Sequence, residues 1–405
     1  MDEMISSPRL RRATDASLEP AQWLGFVDDA RADAEVRAAI AVERVDATAY
    51  AGWHVEFEDL AARAAWPNPF MAPAAIAGHA ARAEADDLVV LTARRGDRRL
   101  VGVWVLRRSR SLWHLGAEVL EAPLDATFEP TSEPVLDRRQ AGATLAALLD
   151  FVRDEPGLPR VIVAPAWPRD LDRLLDARTS ITVGECWTRA LLAPAAPIAA
   201  DAYLASSLGK GLKRRRKSRQ QLAGDGEATY RSLRGQDALA GFERFVALEA
   251  TGWKGRAGTA LAQDGETLAR MRARIAALAA RDKVAVDLLS VGKRDVAAGV
   301  LIEAGDSCLF WKTAYDETLA RFAPGVLLDI DITHRLLAQS PPMRMDSGMQ
   351  EFSDPDGLIW RERRDYARAV IATTDGLAAL LVRLGAGLRR RVRLAYRRWK
   401  GGAPA

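Results

Sequence analysis

Apolar and polar positions along the chain predict two successive units of mixed strand and helix. In the first, "LVVLTARRGDRRLVGVWVLRRS" places two Val/Leu-rich runs either side of Gly96-Asp97, which predicts a β-hairpin. "TAYAGWHVEFEDLAARA" reads as a strand leading into a helix. "WPNPFMAPAAIAGHAARA" reads as a loop, then a helix with Pro73 near its start. "LWHLGAEVL" predicts a third strand. In "AGATLAALLDFVRDE", Leu145, Leu148, Leu149 and Val152 recur at helical spacing. "RVIVAPAW" and "SITVGECWTRALL" predict strands either side of a helix in "PRDLDRLLDAR".

The Pro/Ala stretch "PAAPIAADAY" separates this unit from a second with a similar plan. The expected order is a helix through "YLASSLGKGLKRRRKSRQQLAGDG", a strand "EATYRSLRG", a helix opened by Asp237 in a capping position, and a helix in "DGETLARMRARIAALAARDK". Three strands follow, "VAVDLLSVG", "DVAAGVLIEAG" and "CLFWKTAYD", then a helix from Gly325 to about Gln339. "MRMDSG" and "RDYARAVIAT" close the unit as strands. Hairpins imply antiparallel pairing and strand–helix–strand passages imply parallel pairing. The expected fold class is therefore α/β (α+β), with each sheet mixed, mostly antiparallel and flanked by helices. The expected divisions are an N-terminal extension, 1–45, with its first twenty residues disordered; units at 46–195 and 196–375; and a basic tail, 376–405.

Composition narrows the class. A chain of 405 residues, nearly half hydrophobic, can bury more than one core. Cys186 and Cys308 each sit in an apolar run and read as small buried residues. Without a CxxC pair or a disulfide framework, the cysteines fit a reducing cytoplasm. "MDEMISSPRLRRATDASLEP" has no apolar stretch of the kind a secretory signal needs, and no run is long enough to predict a spanning helix. His54, His79, His114 and His334 are scattered without metal-ligand spacing, so no metal site is expected. Ser206, Ser207 and Ser347 lack a GxSxG context, so a covalent hydrolase is unsupported.

The chemistry concentrates in "LFWKTAYDETLARFAPGVLLDIDITHRLL", residues 309–337. A strand ends, and Arg321-Phe322-Ala323-Pro324-Gly325-Val326 leads into a helix. The first N–H groups of a helix have no intrahelical partner and, with the helix dipole, favour an anion. Arg321 adds a charged donor, and Gly325 leaves room for a ligand near the backbone. The plainer reading is a loop punctuated by Pro and Gly.

Three strands, an Arg-x-x-x-Gly loop, a helix and a further strand resemble the core of GNAT acyltransferases. There, such a loop holds the pyrophosphate of coenzyme A; the usual loop carries more glycine than this one. "YLASSLGKGLKRRRKSRQQLAGDG", "FVALEATGWKGRAGTAL", "KTAYDETLARFAPGVLL" and "MRMDSG", in that order, resemble the CelD-type, BioF2-like acetyltransferases of the GNAT superfamily. These are in turn similar to Fem-type aminoacyl transferases, which use two GNAT-like units and charged transfer RNA. The resemblance implies tandem GNAT-like units. It further implies an acyl group, acetyl first among candidates, moved from acyl-CoA to an amine or hydroxyl of a sugar- or amine-bearing acceptor, in cell-envelope or exopolysaccharide synthesis.

Candidate roles follow. Tyr315 could protonate the departing thiolate, or be a rim aromatic. Lys312 could contact phosphate or an acidic substrate, or snorkel to solvent. Glu249 and Asp346 are alternative general bases; the first could equally be a solvated helix-end carboxylate, the second a turn aspartate. Trp253, Lys254 and Arg256 stand in a Gly-rich loop suited to an acceptor. Lys312 and Arg321 to Val326 form the candidate donor set.

Two basic blocks complete the picture. "KGLKRRRKSR", Lys210 to Arg219, has no acid and no aromatic residue for base stacking, which disfavours nucleic acid; it reads as a solvated helix face or a guide for an anionic donor. From Gly376 onward the chain carries eight Arg or Lys and no acid, so this +8 leaves residues 1–375 at −4 within the net +4. Leu377, Leu381, Leu384, Leu388, Val392, Ala395 and Trp399 recur there at helical spacing. The tail suits an anionic membrane surface, through 376–400, or the acidic body. The expected location is the cytoplasm, peripheral to the inner face of the membrane. The rival readings are a Fem-like aminoacyl transferase and a non-catalytic adaptor of polysaccharide synthesis.

Overall fold

The computed structural model describes residues 34–80, 87–96, 98–125, 127–224, 226–349 and 357–401. Thirteen strands form one sheet: β1 (Ile40–Val45), β2 (Leu88–Arg95), β3 (Leu100–Arg110), β4 (Glu118–Glu121), β5 (Val135–Leu136), β6 (Val161–Pro168), β7 (Ser180–Leu192), β8 (Ala228–Leu233), β9 (Val284–Val291), β10 (Arg294–Ala304), β11 (Ser307–Tyr315), β12 (Arg344–Asp346) and β13 (Glu362–Ala372).

The same plan occurs twice. β1 to β4 run antiparallel in series, the helix Ala141–Asp154 crosses over, and β6 returns parallel to β4. β8 to β11 repeat the series, the helix Pro324–Leu337 crosses over, and β12 returns parallel to β11. The last strand of each half then joins the other half. The order through the centre is β6-β13-β7-β12, all antiparallel, so β13 lies against the first half's β6 and β7 against the second half's β12. The fold is thus a mixed sheet flanked by helices, as expected.

The helix Ala141–Asp154 buries Leu145, Leu148, Leu149 and Val152 in the core of the first half. The second half has a core on each sheet face. One packs Phe242, Phe245, Met271 and Ile275 against β9–β11; the other packs Leu328, Ile332, Leu336 and Trp360 on the opposite face. The halves meet closely: a Cβ on Gly305 would run into the Ala61 carbonyl oxygen.

Several local expectations need correction. The strand expected near residue 50 is the short helix Ala47–Tyr50, and the strand lies earlier, at β1. Within the expected disordered-to-helical extension, 1–33 lie outside the described residues. Leu112–His114 is a 3-10 turn ahead of β4, and Arg169–Leu174 is a 3-10 helix. Gly209, at φ +50°, divides the expected basic helix into Ala200–Leu208 and Lys210–Ala223. Asp237 is the first helical residue rather than the cap. Cys308 is buried but Cys186 is exposed, because it lies on the open face of β7. Asp97 of the first hairpin lies outside the described residues.

Candidate functional site

β11 and β12 pair only from Ser307↔Arg344 to Leu309↔Asp346. Beyond Leu309, no strand among the described residues pairs with that edge of β11. The divergence has a local cause. Gly348, at φ +63°, turns the chain after β12 so close to the Phe310 carbonyl that a Cβ would clash. β11 also carries a bulge: Phe310 faces Leu301 and Lys312 faces Val300, leaving Trp311 as the extra residue. Trp311 stacks on Phe242, with ring centroids 6.4 Å apart, and donates its Nε1–H to the Phe128 carbonyl at 2.6 Å.

On one face of this strand lies the anion-favouring loop. The 3-10 turn Glu317–Phe322 leads through Ala323, in the left-handed region at φ +51°, to Pro324 as the first helical residue. A non-glycine residue there costs about 1–2 kcal/mol. Ala323 at the cap position has no side chain that could accept, and the Gly325 and Val326 N–H groups have no capping partner among the described residues. The Tyr315 ring lies alongside: a Cβ on Gly325 would meet its Cδ1 at 3.7 Å, and the ring is 39% exposed. Arg321 is exposed, its guanidinium 4.6 Å from the Phe322 ring centroid. The basic helix Lys210–Ala223 packs against this turn. Arg219 is held by Asp331 through two 2.8 Å bonds, which ties the basic helix to the helix Pro324–Leu337.

Lys312 does not join that cluster. It lies on the other face, with its Nζ 4.8 Å from the Phe128 ring centroid and 5.5 Å from that of Trp311. Burial lowers its pKa to about 8, against the opposing pull of Glu249. Glu249 is buried rather than solvated. Its carboxylate accepts from Lys254 Nζ at 2.9 Å and from the Leu261 N–H at 2.9 Å. Lys254 also reaches the Thr313 carbonyl of β11 at 3.5 Å. Arg256 pairs with Glu317, tying the short helix Trp253–Arg256 to the start of the turn Glu317–Phe322. Trp253 begins the short helix Trp253–Arg256; its side chain lies outside the described residues.

Asp346 is elsewhere again. It is 1% exposed and faces a narrow enclosed space lined also by Trp66, Asn68, Glu133 and Cys308. It accepts from Tyr366 Oη at 2.5 Å and the Gly348 N–H at 2.8 Å, with Arg189 Nη1 at 3.5 Å. Tyr366 also accepts from Arg364, which binds Glu133 at 3.0 Å and Asp170 at 3.0 and 3.2 Å. Burial pushes the Tyr366 phenol well above its ordinary range, although Arg364 pulls the other way. This buried network joins β7, β12 and β13 to the loop before β5.

Sequence reasoning missed that loop, 122–134, which belongs to the first half yet walls the second half's site. Asp125 pairs with Arg270 at 3.1 Å, and Glu129 with Arg274. Burial opposes ionisation of Glu129, but Arg274 and His79 hold its pKa below the usual value. The available signal was charge in apolar surroundings: Arg189 in "WTRALL" and Arg364 before "YARAVI" had to find buried partners.

Residues 209–353, from the start of the basic helix through β12 and the turn after it, match the acetyltransferase (GNAT) domain. No curated protein matches the chain. Among solved structures, the chain is similar to FemX, with 11% identity and a TM-score of 0.53 over 82% of this chain and 96% of that one. It also matches a tandem GNAT protein from the clavulanic acid biosynthesis pathway, at 13% identity and a TM-score of 0.42 over 84% of this chain and 100% of that one. A third match is the C-terminal domain of a putative lysylphosphatidylglycerol synthetase from Agrobacterium fabrum, at 14% identity and a TM-score of 0.45, covering 74% and 90%. The FemX likeness spans both halves and concerns the fold. The GNAT match contains the diverging strands β11 and β12, the loop 316–325 and Glu249 to Arg256 alike.

Proposed function

We propose that the chain is an acyl-CoA-dependent acyltransferase whose donor site lies in the second half. The observation that carries this reading is the uncapped start of the helix Pro324–Leu337, beside the unpaired edge of β11 and under the basic helix, inside the segment that matches the GNAT domain. The pyrophosphate of the donor would take the Gly325 and Val326 N–H groups and Arg321, with Phe322, Ala323 and Pro324 shaping the turn. Cations of Lys210–Ala223 would draw the anionic donor in. The acyl oxygen would take a backbone N–H of the unpaired β11 edge.

In the reaction the acceptor nitrogen or oxygen attacks the thioester carbon. The C–S bond breaks and the acceptor loses a proton. Tyr315, exposed beside Gly325, would protonate the leaving thiolate. Glu249, whose partner Lys254 also reaches the β11 carbonyl of Thr313, would take the acceptor proton, with Asp346, held by Tyr366, Gly348 and Arg189, as the alternative base. Lys312 and Lys254 would hold an acidic part of the acceptor, with Trp253 and Arg256 at its rim. The acceptor class we favour is a sugar or amine of cell-envelope or exopolysaccharide synthesis, acylated at the cytoplasmic face of the membrane.

Calorimetric titration with acetyl-CoA and longer acyl-CoAs, beside the Arg321→Glu, Gly325→Trp double variant, tests the reading. Saturable binding that the variant loses supports it; no binding by the intact protein to any of these donors refutes it. A second reading, drawn from the sequence resemblance to Fem-type aminoacyl transferases, is an aminoacyl transferase using charged transfer RNA. In that case RNase treatment would abolish transfer, and acyl-CoA would not restore it.

A further inference from the structure

The tail helix Leu377–Gly401 has two apolar faces with different fates. One is docked: Ala379 and Val382 are buried with Val119, Val161, Val370 and Ala372. Gly385 completes the seat, since a Cβ there would run into the Trp113 carbonyl oxygen. This glycine therefore serves close approach. Arg383 donates to Ser180 Oγ at 2.6 Å, and the Arg389 guanidinium lies 5.8 Å from the Trp113 ring centroid.

The other face points outward. Leu377, Leu380, Leu384, Leu388 and Val392 recur three or four residues apart, each between 48% and 71% exposed. The 3-10 turn against which the helix docks adds Leu112, Trp113 and Leu115, at 91%, 39% and 42% exposure. Eight of the ten large hydrophobic residues exposed among the described residues thus belong to these two neighbouring elements. Scattered apolar residues are ordinary on a protein surface, whereas a contiguous group on two elements marks a contact surface.

Charge decides the occupant. Arg389, Arg390, Arg391 and Arg393 are interspersed with the apolar row, and no acid occurs after Asp375. A protein partner's apolar groove could match the leucines but would need a dense acidic rim. An anionic bilayer supplies an apolar interior and a negative surface in one plane. No helix among the described residues is long and apolar enough to cross a membrane, so contact would be at the surface.

We propose that the outward face of the helix 377–401, together with the turn 112–115, is a docking surface for an anionic lipid bilayer, with the leucines in the acyl boundary and the arginines at the headgroups. The surface is prearranged on the folded body, because the opposite face of the same helix is already docked.

The test is flotation of the full-length protein with vesicles of phosphatidylcholine alone and with vesicles of equal parts phosphatidylcholine and phosphatidylglycerol. The intact protein should float with the anionic vesicles, less so as salt is raised. Leu380→Asp, Leu384→Asp, Leu388→Asp should reduce the floated fraction about tenfold or more, with an unchanged melting temperature because all three side chains are exposed. Leu112→Asp should weaken binding through the second element, and Arg390→Glu, Arg391→Glu should remove the preference for the anionic vesicles. The proposal is overturned if the intact protein does not float. It is equally overturned if the triple variant floats as well as the intact protein, or if light scattering shows a dimer that the triple variant dissolves without vesicle binding by either form.

Discussion

The two halves share a strand plan but use the corresponding connection for opposite purposes. In the second half, the passage from β11 to its crossover helix carries Arg321, an uncapped helix start and a basic helix alongside. In the first half, the passage from β4 to its crossover helix carries Asp125, Glu129, Glu133 and Asp137, and each has an arginine partner: Arg270, Arg274, Arg364 and Arg63. The first turn of that helix is buried, with Ala141, Gly142 and Ala143 inside the protein. The second half's connection pairs Asp316 and Glu317 with Arg294 and Arg256 and leaves Arg321 exposed; the first half's connection has spent its acids on buried or half-buried arginines. Topology alone therefore does not make a donor site. Both crossover helices start without a side-chain cap, so in the proposed reading it is the charge of the loop and the burial of the first turn that separate an anion site from a structural connection.

The largest expected effect breaks the structural loop. Arg364→Met leaves Glu133 and Asp170 buried without their cation and should cost about 3–5 kcal/mol in chemical denaturation. A loss under about 1 kcal/mol would mean that this half does not depend on its ion network. Next, Lys312→Met separates stability from function. The Lys312 pKa falls from 10.5 to about 8 through burial. The unfolded chain therefore binds more protons between those values, and stability rises with pH across that window and is lowest below about pH 8. Removing the charge should stabilise the fold at neutral pH by on the order of 3 kcal/mol, while weakening an anionic acceptor. Unchanged stability at pH 7 with the same pH slope would contradict it.

The donor loop comes third. Arg321→Glu with Gly325→Trp should weaken acyl-CoA binding roughly a hundredfold, about 2.7 kcal/mol. Arg139→Glu, in the loop just before the first half's crossover helix, should leave binding unchanged. Equal losses from both would erase the distinction between the halves. The smallest effect is Tyr315→Phe, expected to lower kcat roughly tenfold with little change in KM, as for removal of a proton donor acting in the transition state. A change confined to KM would make Tyr315 a wall of the donor site.

Much of the local structure was legible. Val/Leu-rich runs located the hairpin of β2 and β3, and Leu145 to Val152 located the first crossover helix, because burial on one face imposes its period on the sequence. The helix start at Pro324 could be read from the residues that end a strand and admit a turn. Other features depend on partners far along the chain. Asp346 looked like a strand-end carboxylate until Tyr366 and Arg189 came beside it. Glu249 looked like a solvated helix end, yet the following loop folds back to give it Lys254 and the Leu261 N–H. Lys312 stood among phosphate-side candidates although strand alternation already put it on the face opposite Tyr315, which is where it lies.

The exchange of final strands also has a consequence for how the protein is made. β7 ends at Leu192, but the first half's sheet is completed only by β13, which ends at Ala372. A ribosome must therefore release nearly the whole chain before that half can close. Until then β6 and β7 offer unpaired edges, a period in which the nascent chain is open to wrong pairing. Cutting the gene between the halves would make that period permanent, since each fragment would lack the strand it receives from the other.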